Sequence, residues 1–211
     1  MRKETRGHTR LSVRLMPPIQ RLPSGAPHKY DGITALALIA DDWQKANPSF
    51  LIGRYLLGDA KWMKYGPTGG SFDADCDSVD PTCWLSCLQA AAMREAWEET
   101  GLSHDDIEPI DVPPLFISQY KHHAKNQRDR YLLAYMPMQL VRHVKPSTLR
   151  GALPVQEMDD FAMLPLSDLM HNAPRPLTDA DQLLWPMVVN HVRCFQYGLP
   201  TDVTRWAEMS L

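Results

Sequence analysis

The sequence predicts a mixed α and β fold in a single domain, and three observations carry that prediction. Apolar runs of strand length recur at Ile33 to Ala40, Phe50 to Leu57 and Arg130 to Met138. A helical stretch from about Cys83 to Thr100 lies among them, with Leu85, Leu88, Ala91 and Ala92 forming an apolar face at spacings of 3, 3 and 1. A last helix runs from Thr178 to about Phe195.

Taken in order, residues 1–30 carry Pro17, Pro18, Pro23 and Pro27 among basic side chains and read as an extended arm. The remaining residues, 31–211, read as the folded domain. Ile33 to Ala40 is the first strand and turns at Asp41 and Asp42, Phe50 to Leu57 is the second, and Lys61 to Tyr65 is a short third before a glycine turn at Gly69. The central helix stops at Gly101, a residue able to enter the left-handed conformation, and Ser103 to Asp106 follow as loop. Ile107 to Gln119 holds one or two strands broken at Pro113 and Pro114, and Arg130 to Met138 is the next. Phe161 to Leu164 leads into a turn over Pro165 to Leu169. Thr178 caps the last helix, with Asp179 and Asp181 in its first turn. There is no internal repeat and no clear second domain.

Composition narrows the function classes. A chain of 211 residues, 44% hydrophobic, can bury a substantial core. No apolar run approaches the roughly 20 residues of a membrane span. A net charge of −3 argues against nucleic-acid binding by the whole surface. Arg2, Lys3, Arg6, Arg10 and Arg14 make the first residues basic, but no apolar stretch follows as in a secretory signal, so a cytoplasmic location is expected. Cys76, Cys83, Cys87 and Cys194 contain no Cys-x-x-Cys pair. Free thiols are the preferred reading, ahead of a zinc site or a Cys76–Cys83 disulfide.

The central helix carries the chemistry. Glu95, Glu98 and Glu99 stand at relative positions 0, 3 and 4, which a helix of about 3.6 residues per turn places on one face. Such crowding costs a few tenths of a kcal/mol per i,i+4 pair. A divalent cation relieves it, and Mg²⁺ prefers a few carboxylate oxygens together with phosphate oxygens and water. Arg94, beside Glu95 and four residues before Glu98, can orient or partly neutralise the group.

The run Arg94-Glu95-Ala96-Trp97-Glu98-Glu99-Thr100-Gly101-Leu102 resembles the second half of the Nudix hydrolase signature, in which Gly-x5-Glu-x7 precedes Arg-Glu-aliphatic-x-Glu-Glu-x-Gly-aliphatic. The first half departs from it. Gly69, in Pro67-Thr68-Gly69-Gly70, fits the opening glycine, but counting forward puts the signature glutamate at Asp75 and counting back from Arg94 puts it at Ser86. An insertion containing Asp73, Asp75, Asp77 and Asp80 splits the motif and reads as a solvated loop.

The resemblance implies an α/β/α sandwich around a mixed sheet. It also implies a Mg²⁺-dependent (or Mn²⁺-dependent) hydrolase that cleaves the pyrophosphate linkage of a nucleoside diphosphate joined to another moiety X. By the same resemblance Glu98 and Glu99 hold the metal, Glu95 is either a further ligand or the base, Arg94 orients the group, and the base can also be a carboxylate from a later loop. Glu157, in Gln156-Glu157-Met158, stands where many members carry such a carboxylate. Gly69, Gly70, Arg54 and Trp62 are candidates for contact with substrate, although a tryptophan is more often packed in a core. The cationic stretch Lys121 to Arg130 reads equally as a phosphate contact or a solvated hairpin. The alternative class is a Nudix-fold module that binds a nucleotide without cleaving it, which the serine at 86 favours. An RNA-directed enzyme using the basic arm is a third idea, weakened by the few aromatic residues there for stacking on bases. The arm could also exchange between two subunits of a homodimer. The identity of X stays open among ADP-ribose, sugar nucleotides, dinucleoside polyphosphates, coenzymes and damaged triphosphates.

Overall fold

The computed structural model describes residues 32–56, 64–77, 79, 83–123, 127–171, 176–197 and 206–209. The arm over residues 1–30 and Trp62 fall outside these, as do the side chains of residues 119–129 in the cationic stretch.

The fold is organised by β1 (Gly32–Ala40), whose side chains alternate between two cores. Ile33, Ala35, Ala37 and Ile39 enter one core, and Leu36, Leu38 and Ala40 enter the other. This is the period of two expected of a strand buried on both faces. β1 pairs along its whole length with β7 (Gln127–Leu140) in parallel, from Gly32 opposite Tyr131 to Ala40 opposite Gln139. On its other side it meets β2 (Ser49–Tyr55) and β4 (Thr68–Ser71), both antiparallel. β3 (Tyr65–Gly66) and β8 (Met158–Pro165) pair with β2, while β5 (Ile107–Pro109) and β6 (Leu115–His123) pair with β7. The resulting sheet is mixed.

Helices cover both faces. α2 (Trp84–Thr100) lays Leu88, Ala91, Ala92, Met93 and Ala96 on the first core. α4 (Asp179–Tyr197) lays Leu184, Trp185, Val188 and Val192 on the second, beside α3 (Leu166–His171). The architecture is the expected α/β/α sandwich with a mixed sheet. Among the described residues no helix is long and apolar enough to cross a membrane.

Most elements agree with the sequence expectation, and the differences have local causes. The 107–119 segment does hold two strands, β5 ending at Pro109 and β6 beginning at Leu115 directly after Pro113 and Pro114. The turn expected after Pro165 is the helix α3, because Leu166 and Leu169 lie three apart and are both buried. The inserted segment contains the single-turn helix α1 (Ala74–Asp77) rather than loop alone. A short strand, β9 (Trp206–Met209), joins β6 in parallel and was not anticipated. Cys76 is an exposed free thiol, which excludes the Cys76–Cys83 disulfide.

Candidate active site

The last turns of α2 meet β4 at one edge of the sandwich, and the acidic side chains are fixed from both sides. Gly101 adopts φ 77° and donates its N–H to the Trp97 carbonyl at 2.8 Å, ending the helix as the sequence predicts. The loop before β8 then seals the helix end. Arg150 N–H donates to the Thr100 carbonyl at 3.2 Å and Ala152 N–H to the Glu98 carbonyl at 2.9 Å. A Cβ on Gly151 would stand 2.6 Å from the Glu98 carbonyl oxygen, so the approach requires glycine. That loop continues to Glu157, whose carbonyl accepts the Leu56 N–H at 2.8 Å.

β4 supplies the other side. Gly69 N–H donates to Glu99 Oε2 at 2.8 Å, and a Cβ on Gly69 would meet the Ala35 carbonyl oxygen at 2.5 Å. A Cβ on Gly70 would lie 2.4 Å from the Glu95 carboxyl carbon and from both its oxygens. The two glycines thus serve to bring a bare backbone against the carboxylates.

Arg94 ties the cluster together. Its Nη1 is 2.8 Å from Glu95 Oε1 and 3.0 Å from Glu98 Oε2. Its Nε and Nη2 donate to the two oxygens of Asp77 at 2.9 and 3.0 Å, and Nη2 also reaches the Ser71 carbonyl at 3.1 Å.

Burial and mutual repulsion shape the titration of the buried pair. Burial lifts the Glu95 carboxyl to about 7; Arg94 opposes the rise, and Glu98 and Glu157 add to it. Burial lifts Glu99 to about 8, with the Gly69 N–H opposing and Glu95, Glu157 and Glu98 adding. Glu157 thus acts electrostatically on both carboxyls.

Arg54 is committed elsewhere. Its guanidinium forms two 2.7 Å hydrogen bonds to Asp159 across the β2–β8 pair. Asp75, one of the two positions the motif count offers for the signature carboxylate, is exposed. Asp77 is the residue that sequence reasoning passed over. Among four aspartates in one insertion nothing local distinguishes it, yet its side chain is only 2% exposed.

Among the described residues no three His, Cys, Asp or Glu side chains stand in a ready-made metal site. Instead, Nη1 of Arg94 bridges Glu95 and Glu98. The donor chemistry nevertheless fits a hard divalent cation. The cluster offers carboxylate oxygens, two of the groups are raised chiefly by burial with neighbouring carboxylates adding, and the Glu95 carboxyl lies against the bare backbone of Gly70.

Neither a protein-family model nor a curated protein matches the sequence. Solved structures do match. An Ap4A hydrolase of C. elegans aligns with a TM-score of 0.51 at 15% identity, covering 80% of this chain and 99% of its own. A Nudix hydrolase of Alicyclobacillus acidocaldarius aligns with a TM-score of 0.51 at 15% identity, over 83% and 99%. The M. smegmatis Nudix hydrolase RenU does so at 0.51 and 13%, over 84% and 93%. At such identities the likeness concerns the fold, and the fold is that of the Nudix hydrolases.

Proposed function

We propose that this protein is a divalent-metal-dependent hydrolase of phosphoric anhydrides, cleaving the pyrophosphate linkage of a nucleoside diphosphate joined to another moiety X. The setting of Glu95 against the bare backbone of Gly70 and of Glu99 on the Gly69 N–H, with Arg94 linking Glu95 to Glu98, carries this reading. A pyrophosphate resists hydrolysis because its negative oxygens repel a nucleophile, so a site for it must bring positive charge without bulk. Glu95, Glu98 and Glu99 would hold Mg²⁺ or Mn²⁺, which when bound supplies that charge and acidifies a coordinated water. Little covalent help is then required, because phosphoryl transfer depends on positioning and charge stabilisation. Glu95, where it is not itself a ligand, is the first candidate for general base. Glu157 is the second candidate for that role. Gly70 leaves the Glu95 carboxyl in place against β4, and Gly69 lets β4 pack closely on β1 while its N–H holds Glu99.

A direct test is a panel of ADP-ribose, sugar nucleotides, dinucleoside polyphosphates and coenzymes, incubated with Mg²⁺ or Mn²⁺ and then with EDTA. Release of a mononucleotide from at least one compound, abolished by EDTA, is the expected result. The competing reading, a nucleotide-binding module, draws on the Arg94 bridge that neutralises Glu95 and Glu98 without a cation. Tight binding of one compound by calorimetry with no product at high Mn²⁺ would decide for it.

Gly70 offers a further test. Gly70→Ala puts a methyl group where the Glu95 carboxyl now lies, and the flexible glutamate, not the sheet, should yield. Turnover should fall by about tenfold to a hundredfold, the scale set by a misplacement of about 1 Å in an active site, with the melting temperature nearly unchanged. Unaltered turnover would show that Glu95 need not sit against Gly70.

A further inference from the structure

We propose that Asp77 supplies, from the insertion, the supporting carboxylate that the signature places at Ser86, and that it positions Arg94 and through it Glu95 and Glu98. This inference rests on the hydrolase reading above.

A carboxylate 2% exposed is costly to bury unless it is paired and hydrogen-bonded. Asp77 is both. Arg94 grips it through two parallel N–H···O bonds, the geometry that holds a guanidinium in one plane. The insertion fixes it independently of Arg94. Asp77 N–H donates to the Asp73 carbonyl at 2.7 Å, and Asp73 N–H returns a bond to Asp77 Oδ2 at 2.8 Å. Asp73 and Asp75 are exposed, so Asp77 is the buried member among the described aspartates of the insertion.

The consequence lies in how Arg94 spends its donors. Nε and Nη2 are taken by Asp77 and the Ser71 carbonyl, which leaves Nη1 facing both Glu95 and Glu98. Asp77 also offsets the positive charge of Arg94. Arg94 then cancels less of the negative charge that Glu95 and Glu98 offer a cation. In a complete signature the carboxylate would come from within the helix, two turns before Arg94. Here it comes from the segment that splits the signature, and the insertion completes the cluster it interrupts.

The experiment uses the full-length chain without substrate. Mn²⁺ binding is followed by electron paramagnetic resonance for wild type, Asp77→Asn and the double variant Asp77→Asn with Ser86→Glu, and thermal unfolding is recorded for each. Asp77→Asn keeps shape and the bond from Asp73, so the fold should persist while Mn²⁺ binding weakens about tenfold or more, the scale of losing a partner behind a metal site. The double variant should recover most of that affinity. Wild-type Mn²⁺ affinity in Asp77→Asn, whatever its melting temperature, would reduce Asp77 to a structural strut and overturn the proposal. So would a double variant that binds no better than the single one. Absence of Mn²⁺ binding by the wild type itself would instead overturn the metal-dependent reading, and this role with it.

Discussion

Replacing Glu98 with glutamine is expected to lower anhydride hydrolysis by about a hundredfold or more, the loss seen when a main electrostatic contributor to a transition state is removed, while the fold stays intact. Glutamine preserves the shape of the side chain and removes one negative charge from the cluster. Glu98 is the most exposed carboxylate of the helix stripe, with its side chain at 23%, so little core packing depends on it. Its ion pair with Arg94 is a partly buried i,i+4 contact, and such helix pairs contribute about 0.3–0.5 kcal/mol when exposed. Relief of repulsion from Glu95 and Glu99 works against even that loss. Turnover and thermal unfolding measured on the same preparation separate the two effects. Near wild-type turnover in Glu98→Gln would remove this residue from the site.

The second large effect concerns stability and lies on the opposite face of the sheet. Asp181, buried in the first turn of α4, has its carboxyl pushed from 3.8 up to about 7 by burial. Hydrogen bonds from Thr178 and Tyr135 pull it only part of the way back. Thr178 Oγ donates to its carboxylate and accepts the Asp181 N–H at 3.1 Å, closing the helix start, while the Tyr135 hydroxyl donates at 3.4 Å. The folded-state value is raised, so the favourable contribution is fully present below pH about 4, where folded and unfolded chains both carry the proton. It is lost as pH rises toward 7, where the unfolded chain has released its proton and the folded one is only beginning to. The loss is on the order of a few kcal/mol. Asp181→Asn keeps both the cap and the Tyr135 partner and has nothing to titrate. Urea unfolding at pH 4, 5.5 and 7 should therefore show the variant gaining on the wild type as pH rises. Glu95 and Glu99 push in the same direction, so the difference between the two proteins isolates Asp181. Parallel curves for the two would sink the assignment.

What could be read from the sequence follows the range of the interaction that creates each feature. α2 was legible because its signals are local: apolar residues at helical spacing, a terminal glycine, and an Arg-Glu run confined to nine residues. The start of α4 was legible for the same reason, since Thr178 and Asp181 cap it within one turn. β9 and α3 were missed because they are four and six residues long, and pairing with β6 or burial of two leucines sustains them. The site divides along the same line. The helix carboxylates announced themselves, whereas Glu157 was visible only through resemblance, since it joins the others from across the fold. Arg54 read as a candidate for substrate because its partner Asp159 is 105 residues away, across a strand pair. Asp77 lies 17 residues from Arg94 with no periodicity to connect them, and only the folded chain reveals the bond.

The stretch that leads into β8, after passing the end of α2, is pinned at both ends. Ala152 is bonded to the Glu98 carbonyl and Glu157 to the Leu56 N–H, while Leu153 and Val155 between them are 44% and 69% exposed. A tether of this kind can be rewritten in the middle without disturbing its anchors. Evolution, or an engineer, can therefore vary residues 153–155 while the anchors at Ala152 and Glu157 keep their positions. An added residue there can bulge into solvent and keep both anchors, since lengthening an exposed loop costs little.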